Sequence, residues 1–282
     1  MKVGIWIHTC ARSSARTLSV AEVVHGIERA EELGFDSAWI MDHALIDVAE
    51  GRMAGHDPLV VLAHAAARTD HIRLGTLALC GPFRSAGQLA REAAALADAA
   101  RGRFILGLGA GWYRPEFDAF DLPFDHLFGR LEEQALALRQ LLDGGRVTTA
   151  GRYVRLHDAQ VMSSAQPPPL WIAAGGPRML RLAARVADGW NVAWHGLDAS
   201  WLAERVAVLE GELAAAGRER ASLTISAALL WKPDGDVETL ARGFRAYEAA
   251  GADLVIVCAA DSSIDEPPQG ALEMVAEAAA RL

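Results

Sequence analysis

Lysine is nearly missing from this 282-residue chain: Lys2 and Lys232 are the two lysines, and arginine carries the rest of the positive charge. With 36 acidic against 27 basic residues the net charge is −9. That balance argues against nucleic acid as a partner, because phosphate backbones are held by a surplus of lysine and arginine. The shortage of lysine also leaves no amine for a Schiff base at a strand end, Lys232 excepted. Cysteine is scarce as well. Cys10, Cys80 and Cys258 are too few and too scattered for a disulfide framework or a zinc motif, and are expected as small buried side chains. No apolar run approaches the roughly 18 residues of a membrane helix, so no membrane partner is expected. The first residues, Met1-Lys2-Val3-Gly4-Ile5-Trp6, read directly as a strand with no room for a signal peptide, and a cytoplasmic location is expected.

What is present is apolar and alternating. Apolar residues make up 52% of the chain and charged residues 22%, a globular composition. Strand-like runs fall at Val3–His8, Ser37–Asp42, Ile72–Cys80, Phe104–Gly109, Leu170–Ala174, Gly189–Trp194, Leu223–Trp231 and Leu254–Ala259. Several are almost continuously apolar, as parallel strands covered on both faces require. Helical patterns separate them at Val20–Leu33, Pro58–Thr69, Ala86–Arg101, His126–Leu142, Pro177–Ala187, Ala199–Ala216 and Val237–Ala250, and a last one spans Gly270–Arg281. In the first, Val20, Val23, Val24, Ile27, Ala30 and Leu33 share one face, and Gly34 stands where a helix stops. Eight such units predict a closed (β/α)8 TIM barrel, with a doubly wound open sheet as the alternative. The whole chain, 1–282, reads as a single domain. One segment, about 143–169, breaks the rhythm: Arg146–Ala150, a Gly151-Arg152 turn and Tyr153–Leu156 form an expected hairpin inserted before the fifth strand.

Barrel chemistry sits at the C-terminal ends of the strands. There the chain places His8, Asp42 and His43, the Gly109-Ala110-Gly111-Trp112 turn, Ala173-Ala174-Gly175-Gly176-Pro177, Trp194 with His195, and Trp231. Gly175 and Gly176 lead straight into a helix opened by Pro177, an arrangement that lets an anion approach main-chain N–H groups. Gly107-Leu108-Gly109-Ala110-Gly111 lacks the spacing of a dinucleotide fingerprint, and its glycines make room for a ring instead. Asp42-His43 is the candidate catalytic pair, since imidazole exchanges protons near neutral pH and a neighbouring charge tunes it; a purely structural pair is the competing reading. No further ligands stand at metal-like spacing. His8, Trp112, Trp194 and Trp231 are the candidate walls of a substrate pocket for a small molecule.

Four stretches together resemble the luciferase-like monooxygenase superfamily, in its deazaflavin (coenzyme F420)-dependent branch. They are Phe35–His43, Ile72–Thr76, Gly102–Trp112, and Trp171–Pro177 with Ala187-Asp188-Gly189-Trp190-Asn191. The resemblance implies a barrel with a mid-chain insertion, a homodimer, and F420 as cofactor, with FMN as the alternative. It further implies a non-proline cis peptide in the third strand, matched here to Leu77–Ala78, behind the cofactor ring. The Ala173–Pro177 turn would hold the phosphate, and Asp42 and His43 would flank the ring near Gly109 and Gly111. The chain departs from the sugar-phosphate dehydrogenases of this branch. Trp112 replaces their carboxylate after the fourth-strand glycines, Asp47 replaces a tryptophan, and Asn191–Gly196 lacks their lysines. The expected activity is hydride transfer between F420 and an apolar or conjugated organic molecule. The alternatives are an FMN-dependent monooxygenase and a non-catalytic binding paralogue.

Overall fold

The computed structural model describes residues 1–11, 15–49, 51–163, 166–173, 175–232, 236–260, 265 and 267–282. Eight parallel strands follow one another around a closed barrel: β1 (Lys2–Trp6), β2 (Ser37–Ile40), β3 (Arg73–Thr76), β4 (Phe104–Gly109), β5 (Leu170–Ala173), β6 (Gly189–His195), β7 (Thr224–Leu230) and β8 (Leu254–Cys258). Pairing of β8 with β1 (Lys2 opposite Leu254) and of β4 with β5 (Leu106 opposite Leu170) leaves no open edge. The open-sheet alternative is thereby excluded.

The helices are α1 (Val20–Glu32), α2 (Pro58–Arg68), α3 (Ala86–Ala99), α4 (Arg114–Ala119), α5 (Leu127–Leu142), α6 (Pro177–Val186), α7 (Ser200–Ala215), α8 (Val237–Ala249) and α9 (Ala271–Ala279). Their starts are written locally. Ser19 and Glu22 form a capping box on α1, Asp57 accepts the Leu59 and Val60 N–H groups ahead of Pro58, and Ser85 and Asp236 cap α3 and α8. Gly34, at φ +80°, ends α1.

The strand alternation divides the core in two. Val3, Ile5 and Ile7 point out to the helices, whereas Trp6 points in with Trp39, Ile105, Trp171, Ala228 and Ile256. Trp39 and Trp171 lie 5.0 Å apart inside the barrel, and each needs a glycine beside it. A Cβ on Gly75 would fall 2.3 Å from Trp39, and one on Gly189 2.2 Å from Trp171.

The third strand is not continuous over Ile72–Cys80. It pairs with β4 as Gly75 opposite Ile105 and resumes as Leu79 opposite Leu108, so one extra residue bulges between them. The Leu77–Ala78 peptide within that bulge is cis. A second cis peptide, Ala193–Trp194, lies in β6, where the register against β7 also shifts between Val192 and His195. The inserted hairpin pairs Val147–Ala150 with Arg155–Ala159. Another hairpin, Leu45–Val48 with Gly51–Ala54, follows β2, and the short α4 follows β4. Neither is marked by an apolar run.

Candidate functional site

A cavity of about 590 Å3 opens at the C-terminal ends of the strands. Its floor and walls are Trp6, Met41, the Leu77–Cys80 bulge, Gly109 to Trp112, Ala173, Ala193 and Trp194, and α4, α5 and α6 add Glu116, Phe128 and Met179. The lining is mostly aromatic and aliphatic. Among the described residues, Asp42, His43, Cys80 and Glu116 are its polar members, and neither lysine nor arginine lines it.

The half-buried His43 is held by Glu116. Its Nδ1 lies 3.1 Å from Glu116 Oε2, while Glu116 Oε1 accepts the Leu45 N–H at 3.1 Å. With Glu116 as the carboxylate, Oε2 accepts as Oε1 does, and Nδ1 then carries the hydrogen. In the neutral ring this leaves Nε2 as the atom with a lone pair. Glu116 is itself only 3% exposed. The mount is reinforced where Tyr113 Oη accepts the Asp47 N–H at 3.1 Å and donates to Asp47 Oδ2 at 3.2 Å, which ties the second hairpin to the start of α4.

Asp42 does something other than orient His43. It accepts the Cys80 N–H at 2.9 Å and both Nη groups of Arg84, so its carboxylate faces the third-strand bulge. Burial pushes the Asp42 carboxyl up from the ordinary aspartate range, and Arg84 and the Cys80 N–H oppose that push. The Cys80 thiol is likewise driven up by burial, which keeps it protonated and unreactive. Cys10, Cys80 and Cys258 are all buried and free of disulfides.

The other candidate residues divide. Leu77, Ala78, Gly109, Gly111 and Ala173 all line the cavity. Gly175, Gly176 and Pro177 stand just past it, at the start of α6, and Ala174 lies outside the described residues. Gly176 is the N-cap of α6, and a Cβ added there would meet no atom of the described residues within 4 Å apart from its chain neighbours. Trp194 lines the cavity with its ring edge-on to Trp6 at 4.9 Å. Trp112, 71% exposed, stands at the mouth with its ring 5.7 Å from that of His43.

Two candidates are not on the cavity wall. Trp231 is 3% exposed and packs in the outer core, because Ala228 and Leu230 take the inward positions of β7 and the next odd position faces the helices. His8, 7% exposed, points inward beyond Trp6 but is covered there, with Nε2 3.8 Å from Cys258 Sγ and no hydrogen-bond partner for Nδ1 among the described residues. Burial pushes its imidazole down to about 4.

Glu116 was missed by sequence reasoning. Four residues past Trp112 a carboxylate stands in the first turn of a helix opened by Pro115. An acidic residue just inside a proline-opened turn at a strand end is the local signal that points to it. Among the described residues no group of three or more histidine, cysteine, aspartate or glutamate side chains is placed to hold a metal ion, and no helix is long and apolar enough to cross a membrane.

The chain is similar to F420-dependent glucose-6-phosphate dehydrogenase of Intrasporangium calvum, 37% identical over 63% of this chain and 55% of that protein. It is also similar to 5,10-methylenetetrahydromethanopterin reductase of Methanolobus tindarius, 33% identical over 60% of this chain and 49% of that one. The matches thus span about half the length of these curated relatives. Among solved structures, the coenzyme F420-dependent tetrahydromethanopterin reductase of Methanopyrus kandleri superposes with a TM-score of 0.79 at 21% identity, covering 98% of each chain. The family model for luciferase-like monooxygenases matches residues 1–281. A barrel with this rim and a family match over nearly its whole length place the chain in the luciferase-like monooxygenase family.

Proposed function

We propose that this protein is an F420-dependent oxidoreductase acting on an uncharged, apolar or conjugated organic substrate, with His43 as the group that moves the accompanying proton. The observation that carries the reading is the His43–Glu116 pair set in an otherwise apolar cavity at the barrel mouth. The names of the curated relatives favour F420 over FMN. The residues also suit such a cofactor. The cavity volume lies within the roughly 300–1,000 Å3 of small-molecule sites, and the open space at Gly176 admits a phosphate to the start of α6. Ala78 and Gly109 present little side chain to a flat ring, and Leu77 would back it.

When bound, the deazaflavin supplies or accepts the hydride. The chain's own residues do the rest. Glu116 holds Nδ1–H of His43, so that Nε2 takes up or releases the proton that balances hydride transfer at a neighbouring carbon. Trp6, Trp194, Met41 and Phe128 exclude water and grip an apolar body, with Trp112 at the entrance. With no lysine or arginine among the described residues of the wall, a phosphorylated substrate would find no cation there to pair its charges. That supports an uncharged substrate over glucose 6-phosphate. The reading includes a homodimer, supported by an apolar groove between α2 and α3 where Val60 is 65% exposed, and a cytoplasmic setting, which suits three buried thiols.

The test is turnover with F420 on a panel of uncharged ketones, alcohols and enones beside glucose 6-phosphate. Uncharged compounds should react and the sugar phosphate should not. His43→Ala should lower turnover by about 10²–10⁴-fold while F420 affinity changes little. Preference for glucose 6-phosphate, or normal turnover by the variant at saturating cofactor, would overturn the assignment.

A further inference from the structure

Arg84 sits behind the cavity, outside its lining, and joins three parts of the molecule. Its largely buried guanidinium donates through Nη1 and Nη2 to the two oxygens of Asp42, the Nη2 contact at 3.1 Å, and Nη2 also reaches Asp57 Oδ2 at 2.7 Å. Asp57 is the cap of α2. The main chain around Arg84 is fixed as well. Its N–H donates to Gly81 O at 3.0 Å, and Gln134 Nε2 from α5 donates to the carbonyls of both Gly81 and Arg84, at 2.9 and 2.8 Å. Asp42 in turn accepts the N–H of Cys80, the residue that re-enters the ladder after the Leu77–Ala78 bulge. One cation thus serves two carboxylates, one on the cavity wall and one on a helix cap.

We propose that Arg84 is a positioning residue, whose guanidinium holds the Asp42 carboxylate on the Cys80 N–H and thereby sets the Leu77–Cys80 wall against which the cofactor ring lies. Its cofactor arm rests on the F420 reading above; its charge-compensation arm does not. The titratable and charged groups facing Asp42 are Arg84 and Cys80 from the segment after β3 and Asp57 from the cap of α2. His43 follows it in sequence, and Glu116 of α4 faces Cys80. Of these Arg84 is the cation whose charge does not depend on pH. Without it, burial favours the protonated form of Asp42 over the carboxylate, so the damage grows as pH rises.

The experiment compares the full-length protein with Arg84→Met, Asp42→Asn and the double variant, at about pH 8 and about pH 5.5, by thermal unfolding and by F420 fluorescence titration. Arg84→Met should melt roughly 6–12 °C lower at the higher pH, with a smaller loss at the lower one. Its F420 dissociation constant should rise about tenfold or more at the higher pH and recover in acid. The double variant should match Asp42→Asn alone in both measurements, since the uncompensated charge is gone. A loss in Arg84→Met that is flat with pH, or a double variant no better than Arg84→Met, overturns the proposal. If Arg84→Met does not fold, the double variant must, and its failure to fold has the same consequence. Should the unaltered protein bind no F420, the cofactor reading falls, while the melting data still decide whether Arg84 compensates Asp42.

Discussion

His8 and His43 both come from inward-facing strand ends, and the stability of the protein against pH separates them. His8 is closed off inside the barrel beside Cys258, and burial pushes its imidazole from 6.5 down to about 4, with Asp265 pulling weakly the other way. Above about pH 6.5 the ring is neutral in both folded and unfolded chains, and the fold keeps its full stability. Between 6.5 and about 4 the unfolded chain binds a proton that the native state refuses, so stability falls as pH falls. Below about 4 the loss levels off. At about 1.4 kcal/mol per pH unit, that interval is worth about 3 kcal/mol. Replacing His8 with Gln keeps a side chain of similar size that does not titrate there. Urea unfolding of both proteins across this range isolates the histidine, because the contributions of the carboxylates and the remaining histidines cancel in the difference. The stability advantage of the unaltered protein over His8→Gln should be about 3 kcal/mol smaller near pH 4 than near pH 7.5. A difference independent of pH, or one that grows in acid, would refute the burial argument. It would also reopen His8 as a proton carrier, a role that a ring neutral at pH 7 cannot begin as a donor.

Two further expectations follow from the site. Glu116→Gln places an amide N–H or oxygen against His43 Nδ1 and releases the fixed tautomer, so turnover should fall by about 10²–10⁴-fold with F420 affinity nearly unchanged; an active variant would remove Glu116 from the mechanism. Gly176→Val should weaken F420 binding at least about tenfold, or about 1.4 kcal/mol, without lowering the melting temperature. Its φ of −82° and ψ of 153° suit a branched residue, and no atom of the described residues other than its chain neighbours lies within 4 Å of the added Cβ. A large loss of stability or unchanged binding would contradict it.

The barrel was legible because its information is local and repetitive. Eight apolar runs alternate with eight amphipathic ones, and Ser19, Asp57, Ser85 and Asp236 mark helix starts within a few residues. The cis bond at Leu77–Ala78 was implied by resemblance and is present; the one at Ala193–Trp194 was not anticipated. Partnerships across the fold were harder to read. Glu116 reaches His43 from 73 residues away, and Asp42 finds Arg84 42 residues on. Nothing in the local pattern around Asp42-His43 reveals that the adjacent carboxylate turns from the ring while a distant one holds it. Trp231 failed for a simpler reason. Strand alternation fixes which face a residue takes, and one position past Leu230 faces the helices.

The central claim is the cofactor, and a spectroscopic titration of the purified protein with F420 and, separately, with FMN tests it most directly. F420 should bind the tighter of the two, with Gly176→Val weakening that binding. FMN binding at least tenfold tighter than F420, a difference of about 1.4 kcal/mol, would contradict the assignment and return the chain to the flavin-dependent monooxygenases of its family.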